Sequence, residues 1–142
     1  MHRSFDSELL KKAAEPYPEI LKRDFDFKAW VDNLNNVMIV DGEDVGFFTF
    51  EYPGVYNAHY FMVSRGRDVL AKANAVFGMM FNEYGAETLR GLTKKSLRKA
   101  CWMARQLGFK SYGNIKPFND EEHELFFLTK ADFQMRKQQW AE

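Results

Sequence analysis

Five consecutive residues, Ser64-Arg65-Gly66-Arg67-Asp68, form the pattern in this chain best suited to chemistry. They stand between an aromatic run, Val55–Val63, and a long amphipathic stretch from about Arg67, so a glycine-bearing turn feeds straight into a helix. Such a turn leaves backbone N–H groups uncovered at the positive end of the helix dipole, where a phosphate can sit. Arg65 and Arg67 add positive charge, although arginines beside a turn are often merely solvated. Asp68 removes some of that charge and is also an ordinary first-turn residue. Upstream, His59 offers an imidazole that could take a proton from an amine directly or through water, or could be a structural histidine satisfied by a neighbouring strand. Glu51, beside the Pro53-Gly54 turn, is a second candidate base, with the common edge carboxylate as its plain alternative.

Other reactive types carry less. Cys101 falls on the apolar stripe of a helix and reads as an inert small hydrophobe. His2, His59 and His123 are too scattered to suggest a metal site. Lys94, Lys95, Arg98 and Lys99 crowd the start of a helix, where cations oppose the dipole, and a solvated face explains them simply.

The elements that must position these groups follow from spacing. Residues 3–5 read as a short strand, and Asp6 or Ser7 caps a helix with Leu9, Leu10, Ala13 and Ala14 at helical intervals, stopped by Pro16 and Pro18. Asp26 caps a second helix, Phe27 to Leu34, with Phe27, Trp30, Val31 and Leu34 on one stripe. Val37–Val40, Val45–Tyr52 and Val55–Val63 form an antiparallel meander, because the intervening loops are short. The third run carries apolar weight on both faces and is predicted to be central. Val69, Leu70, Ala73, Val76, Phe77, Met80, Phe81 and Tyr84 make the helix over 67–84, ended by Gly85. Thr88–Leu92 is the next strand. Thr93 caps a helix with Leu97, Ala100, Cys101, Ala104 and Leu107 buried, and Gly108 ends it. Strands near Lys110–Asn114 and Glu124–Thr129 follow, then a helical tail over 131–142 in which Phe133 and Trp140 must pack or meet a partner.

Composition narrows the classes. The 142 residues carry 20 basic and 20 acidic side chains, so no global field draws the protein to nucleic acid or a membrane surface. A lone cysteine cannot form an internal disulfide. No stretch reaches the roughly 18–20 apolar residues of a membrane span, and Met1 to Leu10 is too polar for a secretory signal; the expectation is a cytoplasmic protein. The whole chain, 1–142, reads as one α+β domain.

A helix, a meander, a strand-loop-helix, a strand, a helix ending Gly108-Phe109 and a final hairpin together resemble the GNAT superfamily of acyl-CoA-dependent N-acyltransferases. The residues that carry the likeness are His59-Tyr60-Phe61 leading to Arg65-Gly66, then Glu83-Tyr84-Gly85-Ala86, and Ala104 to Phe109. The chain looks most similar to short GNAT-like proteins of short-tailed bacteriophages, some of them head-assembly or internal virion proteins. The resemblance implies a mixed, mostly antiparallel, twisted sheet of about six or seven strands with helices on both faces. It also implies acetyl-CoA or another acyl-CoA as cofactor, with Ser64, Arg65, Gly66, Arg67 and Asp68 around the pyrophosphate and Phe61, Met62 and Val63 pairing with the pantetheine arm. One or two of the helix-start cations would reach a 3′-phosphate, and His59 or Glu51 would relay the proton of an amine substrate. Departures stand beside these matches. Asp68 and Leu70 occupy positions that are small in the family, Leu97 replaces an Asn, and Ala104 replaces the Tyr that protonates the departing thiolate. Loss of that acid removes about 10²–10⁴-fold in rate. Two functions are therefore open: an acyltransferase, weak or degenerate, and a non-catalytic assembly module that contacts phage structural proteins and associates with the virion.

Overall fold

The structure, a computed structural model, describes residues 1–17, 24–61, 67–117 and 121–141; the side chains of residues 61, 67, 68 and 137–141 fall outside that description. In chain order the elements are β1 His2–Arg3, α1 Ser7–Ala14, α2 Phe27–Asp32, β2 Val37–Asp41, β3 Asp44–Tyr52, β4 Val55–Phe61, α3 Arg67–Glu83, β5 Thr88–Lys94, α4 Arg98–Gln106, β6 Lys110–Ile115, β7 His123–Thr129 and α5 Lys130–Ala141. The seven strands hydrogen-bond in the order β1-β2-β3-β4-β5-β7-β6, mostly antiparallel, with β4 parallel to β5. The chain forms two compact units, Met1–Phe50 with Ala58–Val76 and Glu51–Asn57 with Phe77–Glu142.

In the first unit, carboxylate caps start both short helices as expected. Asp6 accepts from the N–H of Glu8 and Asp26 from that of Ala29, both at 3.0 Å, each satisfying a donor the helix cannot. Strands β2 and β3 form a tight hairpin from Val37↔Phe48 to Asp41↔Asp44, and Gly42 supplies the positive φ of its turn. Val37 to Val40 are buried without alternation, so β2 is covered on both faces. Successive residues of β3 show what covers them. Phe47 meets the Trp30 ring of α2 edge-on at 5.4 Å. A Cβ at the neighbouring Gly46 would lie 3.0 Å from the Tyr60 ring and 3.2 Å from Val76 of α3. Helices α2 and α3 therefore lie on opposite faces, and only glycine allows the approach at position 46. Helix α2 ends at Asp32, earlier than its apolar spacing suggests. Asn33 turns extended and Leu34 is 72% exposed, off the buried stripe.

In the second unit, Val55, Tyr56 and Asn57 pair in parallel with Thr88, Leu89 and Arg90, and β5 then pairs antiparallel with β7 over its whole length. That ladder, from Thr88↔Thr129 to Lys94↔His123, claims Thr93 for the strand. Thr93 is thus no helix cap. Leu97 precedes α4 with no side-chain cap, and Ala100 is exposed rather than buried. Strand β7 follows β6 in sequence but lies inside it, beside β5. Its buried Phe126 and Leu128 repay an inner position, whereas β6 is exposed throughout and takes the edge. The tail is helical as α5, where Phe133 packs on the Phe81 ring at 5.1 Å. Trp140 lies outside the described side chains. Among the described residues no helix is long and apolar enough to cross a membrane, and no cluster of His, Cys, Asp or Glu could hold a metal ion.

Candidate functional site

The residues expected to hold the anion, Met62, Val63, Ser64, Arg65 and Gly66, lie outside the described residues, as do the side chains of Phe61, Arg67 and Asp68. The flanking chain is described. β4 runs to Phe61, and a 17-residue α3 begins at Arg67. A strand delivered into the start of a long helix is the setting an anion-binding turn requires.

His59 and Tyr60 are consecutive on β4 and point to opposite faces. The His59 ring stacks on Phe47, centroids 4.7 Å apart and planes 13° from parallel, and Phe47 in turn packs against Trp30. Trp30 Nε1 donates to Thr49 Oγ1 at 2.9 Å, which fixes the far end of this stack. Nδ1 of His59 is buried and has no hydrogen-bond partner among the described residues. Burial pushes its pKa down to about 4, so the ring is neutral near pH 7. The Tyr60 hydroxyl is likewise buried without a partner among the described residues. Burial raises its pKa, and the carboxylates of Asp44 and Asp41 raise it further, so it stays a phenol.

Glu51 has a different setting. Its carboxylate accepts from Asn57 Nδ2 and lies 3.4 Å from Arg90 Nη2, while Arg90 Nε donates to Asn57 Oδ1 at 3.0 Å. The side chains of Glu51 and Arg90 are 34% and 28% exposed, so the pair is reachable from solvent yet held in place. Sequence reading named Glu51 and missed its partners. Asn57 and Arg90 are adjacent only through the parallel β4–β5 register, and a polar residue within an aromatic strand was the one local signal for Asn57.

On α4 the expected acid is absent in fact as well as in sequence: Ala104 presents a half-buried methyl group, and its carbonyl accepts from the N–H of Phe109. Cys101 is buried, with Sγ 3.7 Å from the Lys94 carbonyl oxygen. Burial, then Glu124, pushes its thiol pKa up, which keeps it protonated and inert. Of the cations expected at the helix start, Lys94 instead ends β5 and pairs with Glu121 at 3.1 Å, and Lys95, which precedes α4, pairs with Glu122 at 3.9 Å. Glu121, the Lys95–Glu122 pair and the buried Glu124 with Arg105 edge an open pocket of about 540 Å³ whose charges are largely matched within the protein.

No protein-family model matches the chain, and no curated protein matches it in sequence. Solved structures do. A spermidine N-acetyltransferase SpeG mutant from Vibrio cholerae has a TM-score of 0.74 and 9% identity, over 96% of each chain. Aminoglycoside acetyltransferase AAC(6')-Ib, solved with coenzyme A and kanamycin, has a TM-score of 0.58 and 14% identity, over 72% of each chain. The ribosomal-protein-S5-alanine acetyltransferase of Vibrio fischeri has a TM-score of 0.53 and 16% identity, over 68% of this chain and 56% of its own. At such identities the likeness concerns architecture, and the chain is built on the GNAT fold that these N-acetyltransferases share.

Proposed function

We propose that the protein is an acyl-CoA-dependent N-acyltransferase of low catalytic power. The observation that carries this reading is the fold: β4, parallel to β5 over three residue pairs, is followed in the chain by a long helix, in an architecture shared with enzymes solved with coenzyme A. In this reading Ser64, Arg65, Gly66, Arg67 and Asp68 hold the pyrophosphate, and Phe61, Met62 and Val63 pair with the pantetheine arm. The amine attacks the thioester carbonyl carbon; a C–N bond forms, the C–S bond breaks, and the thiolate departs. Glu51 takes the amine proton, directly or through water, because its carboxylate is accessible. His59, enclosed and stacked on Phe47, is the less accessible acceptor and serves mainly as a packing group. With Ala104 in the acid's position, water is left to protonate the thiolate, which is why the rate is low.

Calorimetric titration with acetyl-CoA tests the reading. Binding in the micromolar range is expected, weakened about tenfold or more when Arg65 and Arg67 are replaced by alanine, since each charged contact contributes on the order of 1.5–3 kcal/mol. No heat at millimolar acetyl-CoA would remove it.

Ala104 favours a second reading, a non-catalytic descendant acting in phage head assembly or inside the virion. Exposed Trp102 and Tyr112 would then supply contact area, and the protein would copurify with virus particles or their precursors.

A further inference from the structure

We infer that the strip of sheet from Glu51 through Asn57 and Arg90 to Phe127 seats the acceptor, and that this acceptor is a free α-amino acid with an apolar side chain. The inference rests on the acyltransferase reading and deepens it by naming the amine.

Register places these side chains in a row. Asn57 pairs with Arg90, and Arg90 with Phe127. Two residues along β5, Leu92 returns to the same face opposite Leu125. The alternate residues of β7 face α4: Arg105 lies over the Phe126 ring at 5.5 Å and pairs with Glu124. Helix α4 therefore covers the other side of this part of the sheet. On the strip's side Leu92 is 42% exposed, and Tyr112, edge-on to Phe127 at 4.9 Å, is 66% exposed. The strip thus has a polar end and an apolar end, and both can be reached.

Charge selects among amines. Glu51 and Arg90 contribute one negative and one positive charge 3.4 Å apart, so whatever a polycation gains at the carboxylate it loses at the guanidinium. A zwitterion complements both. Its ammonium meets Glu51, and its carboxylate meets the Nη1 edge of Arg90, which has no partner among the described residues, since Nε and Nη2 face Asn57 and Glu51. An apolar side chain then covers Phe127 and Leu92, removing its own surface and theirs from water.

The test titrates the full chain, without acyl-CoA, with L-leucine, leucinamide, N-acetyl-leucine and spermidine. Leucine should bind about tenfold or more tightly than each of the others, the scale set by one charge-assisted contact. Arg90→Gln should abolish the preference over leucinamide, and Glu51→Gln the preference over N-acetyl-leucine, while Arg90→Lys should restore part of the first. Melting curves check that the variants remain folded. Equal or tighter binding of leucinamide or spermidine, an equal loss for all ligands in either variant, or no binding of leucine overturns the inference. Acetyl-CoA is titrated separately: if it binds and leucine does not, the acceptor assignment alone falls; if leucine shows the preference and acetyl-CoA does not bind, the strip stands as an amino-acid site and the acyltransferase reading falls.

Discussion

His59 and Glu51 are the two side chains the sequence offers as proton acceptors, and the molecule treats them in opposite ways. His59, in the first unit, is stacked against Phe47 and is held neutral by burial. Glu51, in the second, is about a third exposed and fixed by Asn57 and Arg90. A useful base must be reachable by the group whose proton it takes. The imidazole, the residue type most associated with proton transfer, is built here as packing. The plain carboxylate is the group left accessible, and a residue's surroundings, more than its type, assign its part.

That contrast can be broken by experiment. Replacing Phe47 with alanine should have the largest effect, a loss of about 3–5 kcal/mol in chemical denaturation, because a fully buried ring leaves a cavity and two aromatic neighbours lose their contact. A loss below about 1 kcal/mol would mean that the stack is not part of the core.

The second effect is a pH dependence. His59 has a folded pKa of about 4 against 6.5 in the unfolded chain, so between these values only the unfolded state binds the proton. Stability is then complete above pH 6.5 and declines as pH falls toward 4, by an amount on the order of 3 kcal/mol. His59→Phe should flatten this part of the stability profile, and an unchanged slope in the variant would assign the effect to other groups.

The smallest effect belongs to Glu51. Glu51→Gln should cost less than about 1 kcal/mol, since an ion pair about a third exposed contributes little to folding. The same substitution should nevertheless change ligand binding. A destabilisation as large as that of Phe47→Ala would make the row structural and erase the contrast.

Much of this was legible in the chain. The caps Asp6 and Asp26, the β2–β3 turn at Gly42, the stripe of α3 and the stops at Gly85 and Gly108 are all expressed in residues a few positions apart. Such features depend on local hydrogen bonds and on side-chain periodicity, which composition within a short window is enough to specify. Where local signals competed, reading them one at a time failed. Thr93 looks like a cap, but ladder bonds from β7, some thirty positions away, extend the strand through it.

Folding in three dimensions decided the rest. Nothing in the sequence pairs Phe47 with His59, and their stacking follows from neighbouring strands brought together by burial. Asn57 and Arg90 stand 33 positions apart and meet through a parallel pairing that α3 must span. β7 displaced β6 from the place beside β5 because its alternating Phe126 and Leu128 gain more from burial than any residue of β6. Elements are chosen by near neighbours along the chain, whereas partners are chosen by which distant surfaces lose most water when they meet.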